Sequence, residues 1–319
     1  MRNVTLRQLR AIERIASDRK IVTAAKYLGL TASAVTQQVQ ALEEELGMAL
    51  FDRMADGMRP TAAGLAAIDA ARAIEEQLFL LSDRISALKG LTKGHLRLGV
   101  VSTAKYFAPR IIAAFGKVYP GLEIDLKVGN RAEIIQALDS HGVDIALMGR
   151  PPKNVPVRAQ VFGDHPLVIV APPGHPLAGA REISCERIAA EKFLVREPGS
   201  GTRISLEIFF SCVASKLDNI GVEMGSNETI KQAVMAGLGI AFISAHTIEA
   251  EVQSGRLAIL DVEGTPIRRQ WFSVARADRN ETPAMAAFSA FLAKKGAQFL
   301  PVAAPLYRNK SEDRRRPQV

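Results

Sequence analysis

The chain has 319 residues, about two domains' worth at roughly 150 residues each. It is 48% hydrophobic and 23% charged, with a formal net charge of +8. That balance belongs to a globular protein and excludes overall disorder, a collagen-like repeat and a disulfide-stapled mini-protein.

No uncharged apolar run reaches the ~18 residues a membrane span needs. No apolar h-region follows the basic N-terminus, so the chain is expected in the cytoplasm with no membrane partner. The charge sits at the ends. Residues 1–40 hold seven basic side chains against two acidic, and residues 307–319 hold five against two. A polyanion is the natural partner of such a surface. Cys185 and Cys212 are too far apart for a metal site and read as free thiols in a reducing compartment. His95, His141, His165, His175 and His246 show no metal spacing and read as surface or core side chains. No metal site and no catalytic constellation is expected.

Leu6, Leu9, Ile12 and Ile15 recur at helical spacing and predict an amphipathic helix over 5–17. Thr23 reads as the cap of a second helix that Gly29 ends. Thr31 or Ser33 caps a third, Ala34 to Leu46, closed by Gly47. Ala25, Leu28, Leu30, Val35, Val39 and Leu42 form the expected seam of a helix-turn-helix, with a plain three-helix bundle as the alternative. The third helix then presents Thr31, Ser33, Thr36, Gln37 and Gln40. These short or amide side chains can hydrogen-bond base edges or phosphates in a major groove. Residues 51–61 read as a β-hairpin wing turning at Asp56-Gly57, from which Arg53 and Arg59 reach flanking phosphates.

Residues 62–89 lack proline and carry a heptad seam: Gly64, Ala71, Leu78 and Ile85 at one position, Ala67, Ile74, Leu81 and Leu88 at the other. A helix of this length spans roughly 40 Å. Its seam is expected to meet a partner chain; the chain's own C-terminal domain is the alternative. Gly90 and Thr92-Lys93-Gly94 read as a hinge.

Strands and helices then alternate. Strands are expected over 95–101, 122–128 and 144–148, with helices over 104–118 and 132–140. A second unit begins near Gly163, with strands over 165–171, 193–196 and 240–243 and helices over 185–189, 202–215 and 228–236. A strand over 268–275 and a helix over 283–295 return to the first unit. This is an α/β sheet of largely parallel strands in two lobes joined by two crossovers, as in periplasmic solute-binding proteins.

Ligands in such sheets bind at the carboxyl ends of strands, against helix N-termini. Ser102, Thr103 and Lys105 follow the first strand. Glu197, Ser200, Thr202 and Arg203 lie in a Gly-containing loop that also leads from strand to helix. Arg150 sits at the crossover, and Asn227 opens a further helix. Each loop alone is also a plain helix cap; together they favour a small anionic ligand. Gly237-Leu238-Gly239 follows a helix and is assigned to capping, and Trp271 to the core.

The run Ala24-Ala25-x2-Leu28-x-Leu30-Thr31-x-Ser33-Ala34-Val35-Thr36-x-Gln38-Val39-x-Ala41-Leu42-Glu43-x2-Leu46-Gly47-x2-Leu50-Phe51-x-Arg53, followed by Pro60-Thr61-x2-Gly64, closely resembles the winged helix of LysR-type transcriptional regulators. The two-lobed region resembles their effector domain. Ala32 and Gln37 depart from the pattern, which often has Gln or Ser at the first and Arg or Lys at the second. Residues 102–109, 171–177 and 196–203 look most like the regulators of Calvin-cycle carbon-fixation operons.

The resemblance implies an all-α winged helix-turn-helix domain (1–61), a linker helix and hinge (62–93), a two-lobed α/β effector domain (94–306) and a basic tail (307–319). Lobe I takes 94–162 and 268–306, and lobe II takes 163–267. It implies a regulator and no enzyme, without a cofactor, sensing a phosphorylated or carboxylate metabolite and acting on promoter DNA as a dimer or tetramer. RNA polymerase is a further candidate partner. The other readings are a regulator of a different metabolic operon and, from another class, a cytoplasmic solute-binding protein or enzyme of the binding-protein fold.

Overall fold

The structure, a computed structural model, describes residues 3–88, 94–211 and 219–302. The hinge residues 90–93, Cys212, the end of the helix expected over 202–215 and the basic tail lie outside the described residues. The chain divides into two compact units between Arg84 and Ile85, inside the long helix.

In the first unit, α1 spans Leu6–Asp18 and opens on a capping box in which Thr5 accepts from the Gln8 N–H and Gln8 accepts from the Thr5 N–H. The second helix, α2, spans Ile21–Leu28 and starts from Lys20, not from Thr23. Ile21 packs against the core, which draws the helix start earlier than the hydroxyl signal placed it. Next, α3 spans Ala32–Leu46, capped by Thr31, whose hydroxyl accepts from the Ala34 N–H at 3.2 Å; Ser33 lies inside its first turn. Gly29 and Gly47 end these two helices at φ +65° and +70°, where a side chain would be strained. Ile12, Ile15, Val35 and Leu42 are sealed, while Leu30, placed in the seam by its spacing, is 43% exposed in the turn. The wing is β1 (Phe51–Met54) paired antiparallel with β2 (Gly57–Pro60), with Ala55-Asp56 at its tip.

The long helix, α4, spans Ala62–Leu88. Ile68 and Ala71 are buried in the core of this first unit. Further along, Ile74, Leu78, Leu81 and Ile85 are exposed, so the expected seam divides. Its N-terminal part is spent inside the unit, and the next three turns or so present an apolar stripe to solvent.

The second unit runs β3 (Gly94–Val101), a 3-10 turn (Ala104–Tyr106), α5 (Ala108–Val118), β4 (Leu122–Gly129), α6 (Arg131–Asp139), β5 (Ile145–Met148) and β6 (Val157–Ala171). It continues through α7 (Cys185–Ala189), β7 (Phe193–Arg196), α8 (Gly201–Phe210), β8 (Ile220–Met224), α9 (Asn227–Met235) and β9 (Ile240–Ser244). It closes with α10 (Glu249–Gln253), β10 (Ala258–Ile259), β11 (Ile267–Arg276) and α11 (Pro283–Lys295). Among the described residues the sheet order is β4-β3-β5-β11-β6-β9-β7-β8, with β10 added beside β6.

Each outer half is parallel, while β6 and β11 run antiparallel to each other and to their flanking neighbours. These two long strands are the crossovers. The 15-residue β6 starts at Val157, not His165, because its first half is mostly exposed and carries no apolar run. The edge strand β8, also mostly exposed, was missed for the same reason. The helix expected over 104–118 breaks at Phe107. Pro109 has no N–H, and its ring bars the preceding turn from continuing as α-helix. Buried clusters flank the crossovers, among them one around Phe107, Phe115, Trp271 and Phe288 and one around Phe193, Phe210 and Phe242. No helix among the described residues is long and apolar enough to cross a membrane.

Candidate functional site

On the first unit, Thr31, Ser33, Gln37 and Gln40 are exposed along α3. Thr36 is half-buried and donates its hydroxyl proton to the Ala32 carbonyl at 2.9 Å, so it faces outward only as an acceptor. Arg53 and Arg59 are exposed on opposite strands of the wing. The result is a helix of short polar side chains with a ribbon that carries two exposed arginines in the same unit.

The second unit contains a cleft, open to solvent, where the two lobes face each other across the crossovers. Its walls come from the end of β3 (Ser102, Thr103), the start of α6 (Arg131), the end of β5 (Gly149, Arg150) and the start of α8 (Ser200, Thr202). His165 on β6 and Arg269 on β11 complete it. Among the described residues, three arginines line the cleft and no carboxylate does. Arg131 donates to the carbonyls of Arg150 and Pro151 at 3.1 and 3.2 Å. Burial and the neighbouring Arg150 charge lower its pKa, the mark of cations gathered without a counter-ion. Ser200 caps α8 by position, yet its side chain makes no capping bond and is 3% exposed. The start of α8 and the hydroxyl-bearing Ser200 and Thr202 line the cleft, an arrangement that suits an oxyanion.

Of the candidates expected from sequence, Ser102, Thr103, Arg150, Ser200 and Thr202 come together here. Lys105, Glu197, Arg203 and Asn227 do not line the cleft; each has a competing partner. Lys105 and Tyr106 both bond the carboxylate of Glu228, so lobe I grips lobe II at 2.6 Å. Asn227, 1% exposed, donates to Thr103 at 3.5 Å and accepts from Arg196. Arg196, 2% exposed, reaches Ser102 at 3.2 Å and holds both carboxylate oxygens of Glu197 at 2.7 and 2.8 Å. Arg203 pairs with Glu207 and Glu223, and both bonds raise its pKa. The bonds Ser102–Arg196, Thr103–Asn227 and Lys105/Tyr106–Glu228 form a polar junction between the lobes beside the cleft, whereas Arg203 pairs within lobe II.

Sequence reading missed Arg131, His165 and Arg269. Arg131 carried a usable signal: it follows a strand and opens a helix whose cap is Asn130 with Glu133. His165 and Arg269 carried none, being mid-strand residues that only the register of β6 and β11 sets opposite each other.

Comparison with known proteins agrees with this architecture. Residues 6–65 match the bacterial regulatory helix-turn-helix of the lysR family, and residues 89–297 match the LysR substrate binding domain. The chain belongs to the LysR family of transcriptional regulators. It is 64% identical over 307 residues to the transcriptional regulator CbbR of Rhizobium meliloti, covering 96% of this chain and 98% of that protein. It is 45% identical over 296 residues to the RuBisCO operon transcriptional regulator of Allochromatium vinosum, covering 93% and 98%. Among solved structures, the regulatory domain of Synechocystis CcmR in complex with 2-PG matches with a TM-score of 0.61 at 37% identity. That match covers 63% of this chain and 97% of the other.

Proposed function

We propose that this chain controls a carbon-fixation operon and answers to a small anionic metabolite held between its lobes. The observation that carries the reading is the cleft lined, among the described residues, by three arginines and no carboxylate. A cationic, partly desolvated pocket selects an anion, since Coulomb attraction there is screened far less than in water. Similarity to RuBisCO operon regulators, and to a regulatory domain bound to 2-PG, supports the operon and the ligand class.

In this reading Arg131, Arg150, Ser102, Thr103, Ser200 and Thr202 contact the effector. Thr31, Ser33, Gln37 and Gln40 meet base edges or phosphates, with Thr36 accepting there. Arg53 and Arg59 clamp the flanking backbone. The exposed stripe Ile74, Leu78, Leu81 and Ile85 pairs two chains, and dimers assemble into tetramers. Residues 1–61 read DNA, 62–93 connect, 94–306 sense and 307–319 add a basic tail. The protein works in the cytoplasm without a cofactor, catalyses no reaction, and passes its signal to RNA polymerase. The effector acts by binding one assembly state better than the other.

The test measures binding to the chain's own upstream promoter DNA against salt, with and without 2-PG. Affinity falls steeply with salt, because phosphate contacts release counterions. Saturating 2-PG, at 100 times its dissociation constant, stabilises the sensing unit by about 2.7 kcal/mol in a thermal melt. DNA binding indifferent to salt, or a melt unmoved by 2-PG and other anionic metabolites, refutes the reading.

A further inference from the structure

The floor of the cleft holds polar groups that the walls do not explain. His165 is 8% exposed and lines the cleft, and neither of its ring nitrogens has a hydrogen-bond partner among the described residues. Arg269 Nε is likewise buried without a partner. The two residues are directly opposed in the antiparallel pairing of β6 with β11, so their side chains leave the same face of the sheet. A buried donor with nothing to bond costs stability and calls for an explanation, and a ligand that fills the cleft supplies one.

The histidine is held in place. Its ring stacks on Trp271 at 4.0 Å between centroids, tilted by 19°. Trp271 in turn donates from Nε1 to His246 Nδ1 at 3.1 Å. A Cβ at Gly149 would stand 2.7 Å from His165 Nδ1, so only glycine leaves the ring its place. Burial, together with the charges of His246 and Arg269, drops His165 to a pKa of about 3. His246, below it, is pushed down to about 4 by burial. The imidazole is therefore neutral at physiological pH, with one nitrogen an N–H donor.

We propose that His165 and Arg269 form an oxyanion subsite on the floor of the cleft, where a phosphoryl or carboxylate group of the effector accepts from the neutral imidazole N–H and from the guanidinium. This rests on the effector reading above and deepens it. The wall arginines attract the anion, and the floor pair fixes which of its groups points inward. Because Trp271 is the only tryptophan in the sequence and stacks on His165, its emission reports occupancy of the floor.

The test uses the full chain, titrated with 2-PG, inorganic phosphate and acetate. Binding is followed by calorimetry and by Trp271 emission; the two oxyanion sources are told apart by phosphate against acetate. In the wild type both readouts give one dissociation constant. His165→Leu and Arg269→Met each weaken 2-PG at least tenfold, the loss of a hydrogen bond to a charged group. His165→Asn, which keeps an N–H donor but loses the stacked ring, stays within about threefold of the wild type. If His165→Asn is as weak as His165→Leu, packing and not donation is at work, and the proposal falls. If 2-PG binds and either floor variant is unaffected, the paired subsite is wrong while the cleft reading stands. If none of the three anions binds the wild type, the cleft reading falls and takes this one with it.

Discussion

Replacing Arg196 with Met tests whether its buried guanidinium organises the polar junction beside the cleft. The substitution keeps length and apolar stem but removes the guanidinium. Asn227 Oδ1, in a residue 1% exposed, loses its charged donor, which costs about 1–3 kcal/mol. The Glu197 carboxylate, with its side chain 20% exposed, loses two bonds but regains some water, at about 1–2 kcal/mol. Ser102 loses one weaker bond of 3.2 Å. The sum is about 3–5 kcal/mol, the usual cost of stripping one partner from a buried pair. For a unit of this size each kcal/mol lowers the melting midpoint by about 2–4 °C, so a drop of about 10 °C is expected. Trp271 emission follows this unit alone, as it carries the chain's one tryptophan. Because Arg196 also positions Ser102 at the cleft wall, 2-PG stabilises the variant less than the wild type. A midpoint within 2 °C of the wild type refutes the junction.

Two further outcomes follow from the same geometry. Burial raises the pKa of Glu228, but hydrogen bonds from Lys105 and Tyr106 outweigh it and hold the carboxyl at about 2, below its ordinary 4.5. Its contribution is present above pH 4.5 and lost as pH falls through about 2; largely solvent-screened, it is worth about 1 kcal/mol. The stability gap between wild type and Glu228→Gln, measured by urea unfolding, therefore narrows from pH 6 to pH 3, and a constant gap contradicts the assignment. On the first unit, Arg53→Ala weakens all DNA sequences alike and lowers the salt slope by about one, whereas Gln37→Ala alters discrimination at particular base pairs by about 1–3 kcal/mol. Binding assays on a panel of single-site operator variants separate the two, and identical profiles sink the division of labour.

Much of the chain was legible locally. The first three helices follow from apolar spacing, and their ends from Thr31, Gly29 and Gly47, because caps and left-handed turns are decided within a few residues. The strand-to-helix loops around Ser102 and Ser200 were legible for the same reason. The first half of β6, together with β8, was not, since mostly exposed strands carry no apolar signature. Lys105, Arg203 and Asn227 had the right chemistry for an anion, yet each was claimed by a partner more than a dozen residues away. Charge alone does not reveal which carboxylate will meet it.

The sequence by itself determined the helix-turn-helix, the long apolar-striped helix and the alternation that makes a two-lobed α/β sheet, all of which rest on short-range periodicity. Tertiary structure decided which polar side chains face the cleft. His165 and Arg269 stand 104 positions apart and meet only because two crossover strands pair in one register. Pairing register is a property of the folded sheet: a slip of one residue between the two strands would put the two side chains on opposite faces.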